Sequence, residues 1–306
     1  MSLPATPAAG GRWAGVLLVS AAALIWSSGG LIVRLLAGVD SWTIVFWRSL
    51  AALLFLLCFG LATEGAGFVR AFGRLGLAGL LISLCYVVAS VSLVVALKLT
   101  SVADVLILMS CAPLLAALIG RLQLGETLTP LGWLALLGSI VGAGIMVSDS
   151  YARGSITGDL VAMAIAVAQA VAIVIFRRHR NVSMIPGISL AMLAAALAVL
   201  PLASFAPMRV ADAGLLGFFG AGQLGLGLAL FATGARKIPA AETAMLGVME
   251  PVIGPVWVWL LLGEQPSPAG LTGGAIVLAA LVLFIASSLG KPAPRLEKTG
   301  FAVTPK

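Results

Sequence analysis

Hydrophobic residues in this chain gather into ten long runs, and the polar and charged residues fall mainly between them. A helix needs about 20 apolar residues to cross a hydrocarbon core of ~30 Å, and the runs approach that length. None shows the alternation of apolar and polar positions that a barrel strand requires. Because lipid offers the backbone no hydrogen-bond partner, each run is expected to be a membrane-spanning helix. The runs cover approximately residues 13–33, 42–62, 75–97, 103–121, 130–147, 158–176, 184–204, 212–234, 240–262 and 269–288.

A short cassette of proline, glycine and glutamate occurs twice, at an offset of 138 positions. Both copies begin inside an apolar run and place their polar residues at the turn that follows. Internal repeats of this kind are common in secondary transporters and predict two halves, residues 13–147 and 154–288. The polar tails, 1–12 and 289–306, are expected to be disordered. The two copies are Pro113, Gly125-Glu126, Pro130 and Gly132, and Pro251, Gly263-Glu264, Pro268 and Gly270.

The number of runs in each half determines how the halves are related. Five spans is an odd number, so the second half must enter the membrane from the side opposite to the first. The predicted fold is therefore an all-α integral membrane protein with ten transmembrane helices, built as two inverted five-helix repeats. Inverted repeats supply two related conformations, in which a cavity near the midplane opens to one side and then to the other.

Composition and charge agree with a membrane protein. The chain is 61% hydrophobic and only 9% charged, whereas soluble domains carry about 25% charged residues. With a cytoplasmic N-terminus, thirteen of the Lys and Arg residues fall on the inner side and four on the outer side. This bias predicts a plasma-membrane protein with both termini in the cytoplasm. It also explains the net charge of +7 without any nucleic-acid partner. The three cysteines lie within spans at no metal-ligand spacing, and no cofactor is indicated.

The duplicated cassette resembles the EamA-like branch of the drug/metabolite transporter superfamily. Gly154-x3-Gly158-Asp159-Leu160 at the start of the second half fits the same pattern, as do Trp26 in span 1 and Arg48 in span 2. The resemblance covers approximately residues 14–288. It implies a ten-helix carrier, often an exporter of amino acids, other metabolites or drugs, and it fixes no substrate. The halves differ at Arg48 and Trp26, so they are not expected to contribute equally to a site.

Glu250 is the sharpest candidate for a functional residue. It lies near the middle of span 9, directly before Pro251, and the repeat places the neutral Ala112 at the equivalent position. A charge at that depth costs on the order of 2.5–3.5 kcal/mol. Burial favours the neutral acid, so reversible protonation near neutral pH is expected. We hypothesise that Glu250 binds a substrate amine, a proton, or both. The alternative is a neutral acid hydrogen-bonded to a carbonyl freed by the proline.

Arg48 is the second charged residue within a span. Its guanidinium could pair with Glu250 or bind a substrate carboxylate, because the two groups match in geometry. It also lies six residues from Trp42, so it could instead extend to the membrane interface.

Several uncharged residues within the spans are further candidates for substrate binding. Hydrogen bonding and packing between helices are the commoner uses of such residues. These candidates are Trp26, Gln169, Gln223, Tyr86 and Ser110.

Prolines and glycines are expected to shape the helices. Pro113 and Pro251 should each remove a backbone hydrogen bond within a span, and Pro255 should add a second break in span 9. These breaks would serve gating or merely shape the bundle. The turns at Gly125-Glu126 and Gly263-Glu264 are interpreted as structural, with each glutamate stabilising the start of the next helix.

These features favour a secondary transporter that exports small metabolites such as amino acids or amine-containing compounds by alternating access. Protons or the substrate gradient would drive it, because no ATP-binding loop is present. A channel or facilitator would need a polar stripe along several spans. An intramembrane enzyme would need a catalytic cluster, and the sequence has only one histidine. The sequence favours no particular oligomeric state.

Overall fold

The predicted all-helical membrane fold is confirmed. A computed structural model describes residues 9–125, 128–178 and 184–288, and within these ranges every regular element is helical. Ten helical spans in the described residues are long and apolar enough to cross a membrane. The spans are Arg12–Leu35, Ser41–Glu64, Gly76–Leu99, Val102–Gln123, Pro130–Ala152, Ile156–Phe176, Ile185–Leu202, Val210–Ala235, Glu242–Leu262 and Pro268–Ser287, numbered 1 to 10 below.

Several spans consist of more than one helix. The helices of the first half are α1 Ala9–Ser27, α2 Gly29–Leu35, α3 Ser41–Glu64, α4 Ala66–Gly73, α5 Gly76–Leu99, α6 Val102–Met109, α7 Ala112–Leu124 and α8 Pro130–Arg153. The helices of the second half are α9 Ile156–Arg178, α10 Met184–Val199, α11 Val210–Gly217, α12 Gly227–Ala235, α13 Ala240–Gly247, α14 Met249–Leu262 and α15 Pro268–Ser288.

The predicted N-terminal tail is shorter than expected, because α1 begins at Ala9 and not near residue 13. Residues 1–8 of that tail and the whole of the predicted C-terminal tail, 289–306, lie outside the described residues. Helix α8 likewise continues to Arg153, past the predicted end of the first half.

The two halves pack extensively against each other. Several of the helix pairs in most extensive contact join one half to the other: α8 with α15, α5 with α9, α3 with α10, α1 with α12 and α7 with α9. Glycine permits the closest of these approaches. A Cβ atom at Gly142 would lie 2.6 Å from the Gly273 carbonyl oxygen, and one at Gly273 would lie 2.6 Å from the Gly142 carbonyl oxygen.

The even number of spans places both ends of the described chain on one side of the bundle. We call this the terminal side, where α1 begins and α15 ends, and the other side the opposite side. Glycine ends one helix on each side of the bundle. Gly125 follows α7 and Gly263 follows α14, and both have left-handed backbone conformations, with φ of 67° and 72°. Glu126, predicted to be part of the first turn, lies outside the described residues.

Span 8 contains an unusual segment. Between α11 and α12, residues Phe218–Leu226 form a π-helix. Gly225 in this segment packs closely on the first half, since a Cβ atom there would lie 2.6 Å from the Phe55 ring. π-Helical segments are rare in proteins, and those that occur are often found at functional sites.

Candidate functional site

A cavity of about 600 Å³ lies among spans 4, 6, 8, 9 and 10. This volume is in the range of small-molecule binding sites. Near the middle of the bundle its lining comes from spans 4, 6 and 9. From there the lining continues to Thr243 and Ala244 near the start of span 9, and to Phe284 and Ile285 near the end of span 10. The cavity therefore extends from the middle of the bundle toward the terminal side.

Two broken spans face each other across this cavity. Span 4 is interrupted between α6 and α7 at Ser110, and span 9 between α13 and α14 at Val248. These two positions are related by the repeat offset of 138. Pro113 and Pro251 lie in the first turn of α7 and α14, where proline needs no helical hydrogen-bond partner. Both prolines line the cavity.

The break expected at Pro255 is absent. Pro255 lies within α14, which is continuous from Met249 to Leu262. Pro255 has no N–H to donate to the Pro251 carbonyl one turn earlier, but the helix continues past this one missing bond.

Glu250 lies in the first turn of α14 and lines the cavity. Within the described part of the chain its carboxyl group makes no hydrogen bond and no ion pair. The alternative bond to a freed carbonyl is therefore not formed there. Glu250 shares the cavity with two other predicted residues, Gln169 and Ser110, and the Ser110 hydroxyl donates to the Ile107 carbonyl at 2.6 Å. The arrangement is a half-buried carboxyl group in a mostly apolar cavity.

The described lining offers Glu250 as its only charged side chain. At the break in span 4, two backbone amides are already hydrogen-bonded to carbonyls of α6. Ser110 N–H donates to the Ile107 carbonyl at 3.1 Å, and Cys111 N–H donates to the Leu108 carbonyl at 3.1 Å. The cavity is thus suited to a cationic group, and its described lining has no cationic side chain to pair with a carboxylate.

Arg48 lies away from the cavity lining and is 3% exposed, so it does not extend to an interface. It donates from Nη1 to the Ser90 hydroxyl at 2.8 Å, and its guanidinium lies 4.6 Å from the centre of the Phe219 ring. Its Nε atom has no hydrogen-bond partner among the described residues. Arg48 thus joins spans 2, 3 and 8, and it is not in contact with Glu250 in the described structure.

Three other predicted residues also lie outside the cavity lining. Gln223 is buried in the π-helix and donates from Nε2 to the Trp26 carbonyl at 3.0 Å, where span 1 is interrupted between α1 and α2. The Trp26 ring packs on Phe231 at 5.2 Å, and Phe231 does line the cavity. Tyr86 packs against a separate apolar cluster that includes Leu56. Trp26 is therefore one side chain removed from the cavity.

Glu264 has a different role from the predicted one. Helix α15 begins only at Pro268, and Ser267 caps it, since the Ser267 hydroxyl accepts from Gly270 N–H at 2.9 Å. Glu264 instead reaches the first half. Its Oε1 accepts from Val102 N–H at 2.9 Å, and its two oxygens accept from Arg34 at 2.6 and 3.0 Å. The carboxylate does stabilise a helix N-terminus, but that of α6.

The surroundings of Glu264 favour its charged form. Partial burial alone would raise the pKa of its carboxyl group. The hydrogen bonds from Arg34 and Val102 and the charge of Arg34 outweigh that effect, so the pKa is lower than usual. Glu264 is therefore charged in its pairing with Arg34 at neutral pH.

A second, more open hollow of about 540 Å³ lies on the opposite side around the loop between α2 and α3. Its charged side chains Asp40 and Lys98 are already hydrogen-bonded to backbone groups. Asp40 caps α3 by accepting from Thr43 N–H at 2.9 Å, and Lys98 donates to the carbonyls of Leu36 and Val39 at 2.9 Å each. We therefore regard the cavity at Glu250 as the candidate site. Among the described residues, no group of His, Cys, Asp and Glu is arranged to hold a metal ion.

Comparison with known proteins provides a family and a fold. The model of the EamA-like transporter family matches residues 13–148 and 156–286, one match in each half. A solved crystal structure, described only as that of a protein, is similar to this chain with a TM-score of 0.59 and 22% sequence identity. The similarity covers 89% of this chain and 97% of that one and concerns the fold alone. No curated protein sequence matches the chain significantly.

Proposed function

Because the chain belongs to the EamA-like transporter family, we propose that it is a secondary transporter that exports small amine-bearing molecules by alternating access. Membership in the family confirms the resemblance inferred from the duplicated cassette. The ten spans make it a multi-pass membrane protein. We further propose that it resides in the plasma membrane with both termini in the cytoplasm, as the distribution of Lys and Arg suggests.

The observation that carries the proposal is the half-buried carboxyl group of Glu250 in a cavity between the two halves. A carboxylate in an apolar site attracts an ammonium group more strongly than one in water. Phe231, Phe284 and Met109 also line the cavity and would contact the apolar part of the substrate. Since the described lining has no cationic side chain, amines are favoured over amino acids, whose carboxylate would have no counter-charge there.

Glu250 is also the group proposed to couple transport to protons. A carboxylate that pairs with an ammonium group is protonated less readily, so a proton and the amine would compete for the same site. Such competition would let a proton gradient drive the amine in the other direction. A closed barrier between the cavity and the opposite side is typical of a carrier with alternating access, and a channel would need a continuous pore.

The test compares three ligands that share a phenyl ring and differ in charge: phenethylamine, phenylalanine and 3-phenylpropionate. Binding to the purified full chain in detergent is measured by calorimetry at neutral pH. We expect the amine to bind most tightly and the anion to show no binding. Glu250→Gln should weaken amine binding at least about tenfold, which corresponds to roughly 1.4 kcal/mol. Proton release on amine binding should disappear in the same variant.

Glu242→Gln is the matched control. Glu242 lies on span 9 like Glu250, but it pairs with Arg12 at 2.8 Å and does not line the cavity. Its loss should leave amine affinity unchanged. Tighter binding of 3-phenylpropionate than of phenethylamine, or unchanged amine affinity in Glu250→Gln, would contradict the proposed substrate class.

A further inference from the structure

Several contacts between span 9 and the first half close the bundle between the cavity and the opposite side. Nearest the cavity, Gly254 packs so tightly against Leu106 that a Cβ atom there would overlap it. One turn further, Trp257 Nε1 donates to the Ser27 hydroxyl at 3.0 Å. Beyond these contacts lies the pairing of Glu264 with Arg34. On the terminal side the cavity separates spans 4 and 9, since it lies between Pro113 on α7 and Thr243 on α13.

The outermost contact joins four parts of the chain through two side chains. Arg34, at the end of α2, donates to both oxygens of Glu264 and also to the backbone carbonyls of Leu97 and Thr100 at the end of α5. Glu264 in turn accepts from Val102 N–H at the start of α6. A bidentate pair between arginine and carboxylate is both directional and strong for its size. Its members come from different halves, so the halves cannot separate here while it is intact.

The same contact is built to be reversible. The side chains of Arg34 and Glu264 are 24% and 25% exposed, so water can replace each partner when the pair opens. The helix that carries Arg34 is short, and the chain is interrupted before it at Ser28. Gln223 donates to the Trp26 carbonyl beside this interruption. Helix α2 can therefore move with respect to α1 at little cost in helical hydrogen bonds.

We propose that Arg34, Glu264 and the Val102 amide form a gate that closes the opposite side of the cavity and opens once in each transport cycle. The proposal rests on alternating access, and it adds the residues that separate the two states. In this structure the gate is closed and the cavity extends to the terminal side. Loss of either side chain should favour the state that opens to the opposite side, because it removes contacts made only in the closed state.

The test measures access to the cavity from the opposite side. Ser110, which lines the cavity, is replaced by cysteine in a variant of the full chain that lacks Cys58, Cys85 and Cys111. Sealed vesicles whose orientation is established with an N-terminal tag are treated with a membrane-impermeant maleimide on the opposite side, without substrate. Glu264→Gln and Arg34→Ala should each speed labelling roughly fivefold or more. The double variant should label no faster than the faster single variant, because both changes remove one interaction.

Arg209→Ala is the matched control. Arg209 pairs with Asp212 at 2.8 Å near the start of span 8, also on the opposite side, but both residues belong to the same half and lie three positions apart. Its loss should leave the labelling rate unchanged. Glu264→Gln preserves the size of the side chain, and size-exclusion chromatography checks that each variant remains folded.

Two results would overturn the gate. One is a labelling rate in both Glu264→Gln and Arg34→Ala equal to that of the parent protein. The other is an increase in Arg209→Ala as large as in those variants. Because the experiment contains no substrate, its failure would leave the role of Glu250 standing. Conversely, a failed test of amine binding would leave the gate standing.

Discussion

Two charged residues in the middle of spans occupy very different surroundings. Glu250 lines a cavity and makes no hydrogen bond within the described chain, whereas Arg48 is buried, bonded to Ser90 and stacked on Phe219. A group that must bind and release a ligand needs the first kind of environment. The second kind holds helices together. At the scale of single residues, we therefore assign Glu250 to the site and Arg48 to the packing of spans 2, 3 and 8.

This assignment of Arg48 leads to a prediction about stability. A buried charge without a counter-ion can often be replaced by an apolar side chain of similar size without loss of stability. Arg48→Met should therefore unfold at the same temperature as the parent protein or higher. Arg48→Lys keeps the buried charge but loses the planar contact with Phe219. It should be less stable, by about 1–3 kcal/mol, in thermal unfolding of detergent-solubilised protein.

Amine affinity provides the second measurement on these variants. Both should bind phenethylamine as tightly as the parent protein, since Arg48 lies outside the cavity lining. Weaker amine binding in Arg48→Met at unchanged stability would instead place Arg48 in the site.

The identity of individual site residues was only partly predictable from the sequence. Glu250 stood out because its repeat partner is the neutral Ala112, and because a carboxyl group within a membrane span is energetically costly and usually functional. Trp26, Gln223 and Tyr86 were candidates on the same grounds as Gln169 and Ser110, yet they pack between helices and do not line the cavity. A span that is apolar on all faces does not reveal which face meets the cavity. For the same reason Phe231 and Phe284 were missed.

At the scale of helices, the breaks in spans 4 and 9 divide each into a half near the terminal side and a half near the opposite side. The opposite-side halves, α6 and α14, pack together. The terminal-side halves, α7 and α13, contribute to the cavity walls. Prolines at the start of α7 and α14 explain why the breaks fall there. The wide π-helix in span 8 carries no comparable signal, because its glycines also suit ordinary close packing.

The long contact between α8 and α15 offers a test of helix packing. A Cβ atom at Gly142 or Gly273 would overlap the backbone of the other helix. Gly142→Ala should therefore destabilise the protein by about 1–3 kcal/mol, since the two helices must move apart. Thermal unfolding in detergent measures the effect.

Gly144→Ala on the same helix is the matched control. No atom lies within 4 Å of a Cβ atom added at Gly144, and alanine is the better helix former. This variant should be as stable as the parent protein or slightly more stable. Equal destabilisation by the two substitutions would show that helix contact is not what selects glycine at 142.

At the scale of the whole molecule, the lengths of the apolar runs were sufficient to predict ten spans, because the bilayer sets a fixed length for every crossing. The repeat predicted the inverted halves for a similarly general reason. The contacts between the halves were not predictable. Glu264 illustrates this: its sequence neighbours suggested a role in its own turn, while its partners Arg34 and Val102 lie in the other half.

The direction of transport depends on which side of the membrane each end of the bundle faces. The sequence assigns thirteen Lys and Arg residues to the segments predicted on the same side as the N-terminus and four to the other side, and such a bias predicts a cytoplasmic terminal side. The cavity at Glu250 would then extend to the cytoplasm in this structure, as an exporter needs for loading. A green fluorescent protein fused after Lys306 should fluoresce, since it folds in the cytoplasm. Alkaline phosphatase fused after Gln265 should be active, since that turn would face outward. The reverse pattern would mean that the cavity faces outward here, and import would become the better proposal.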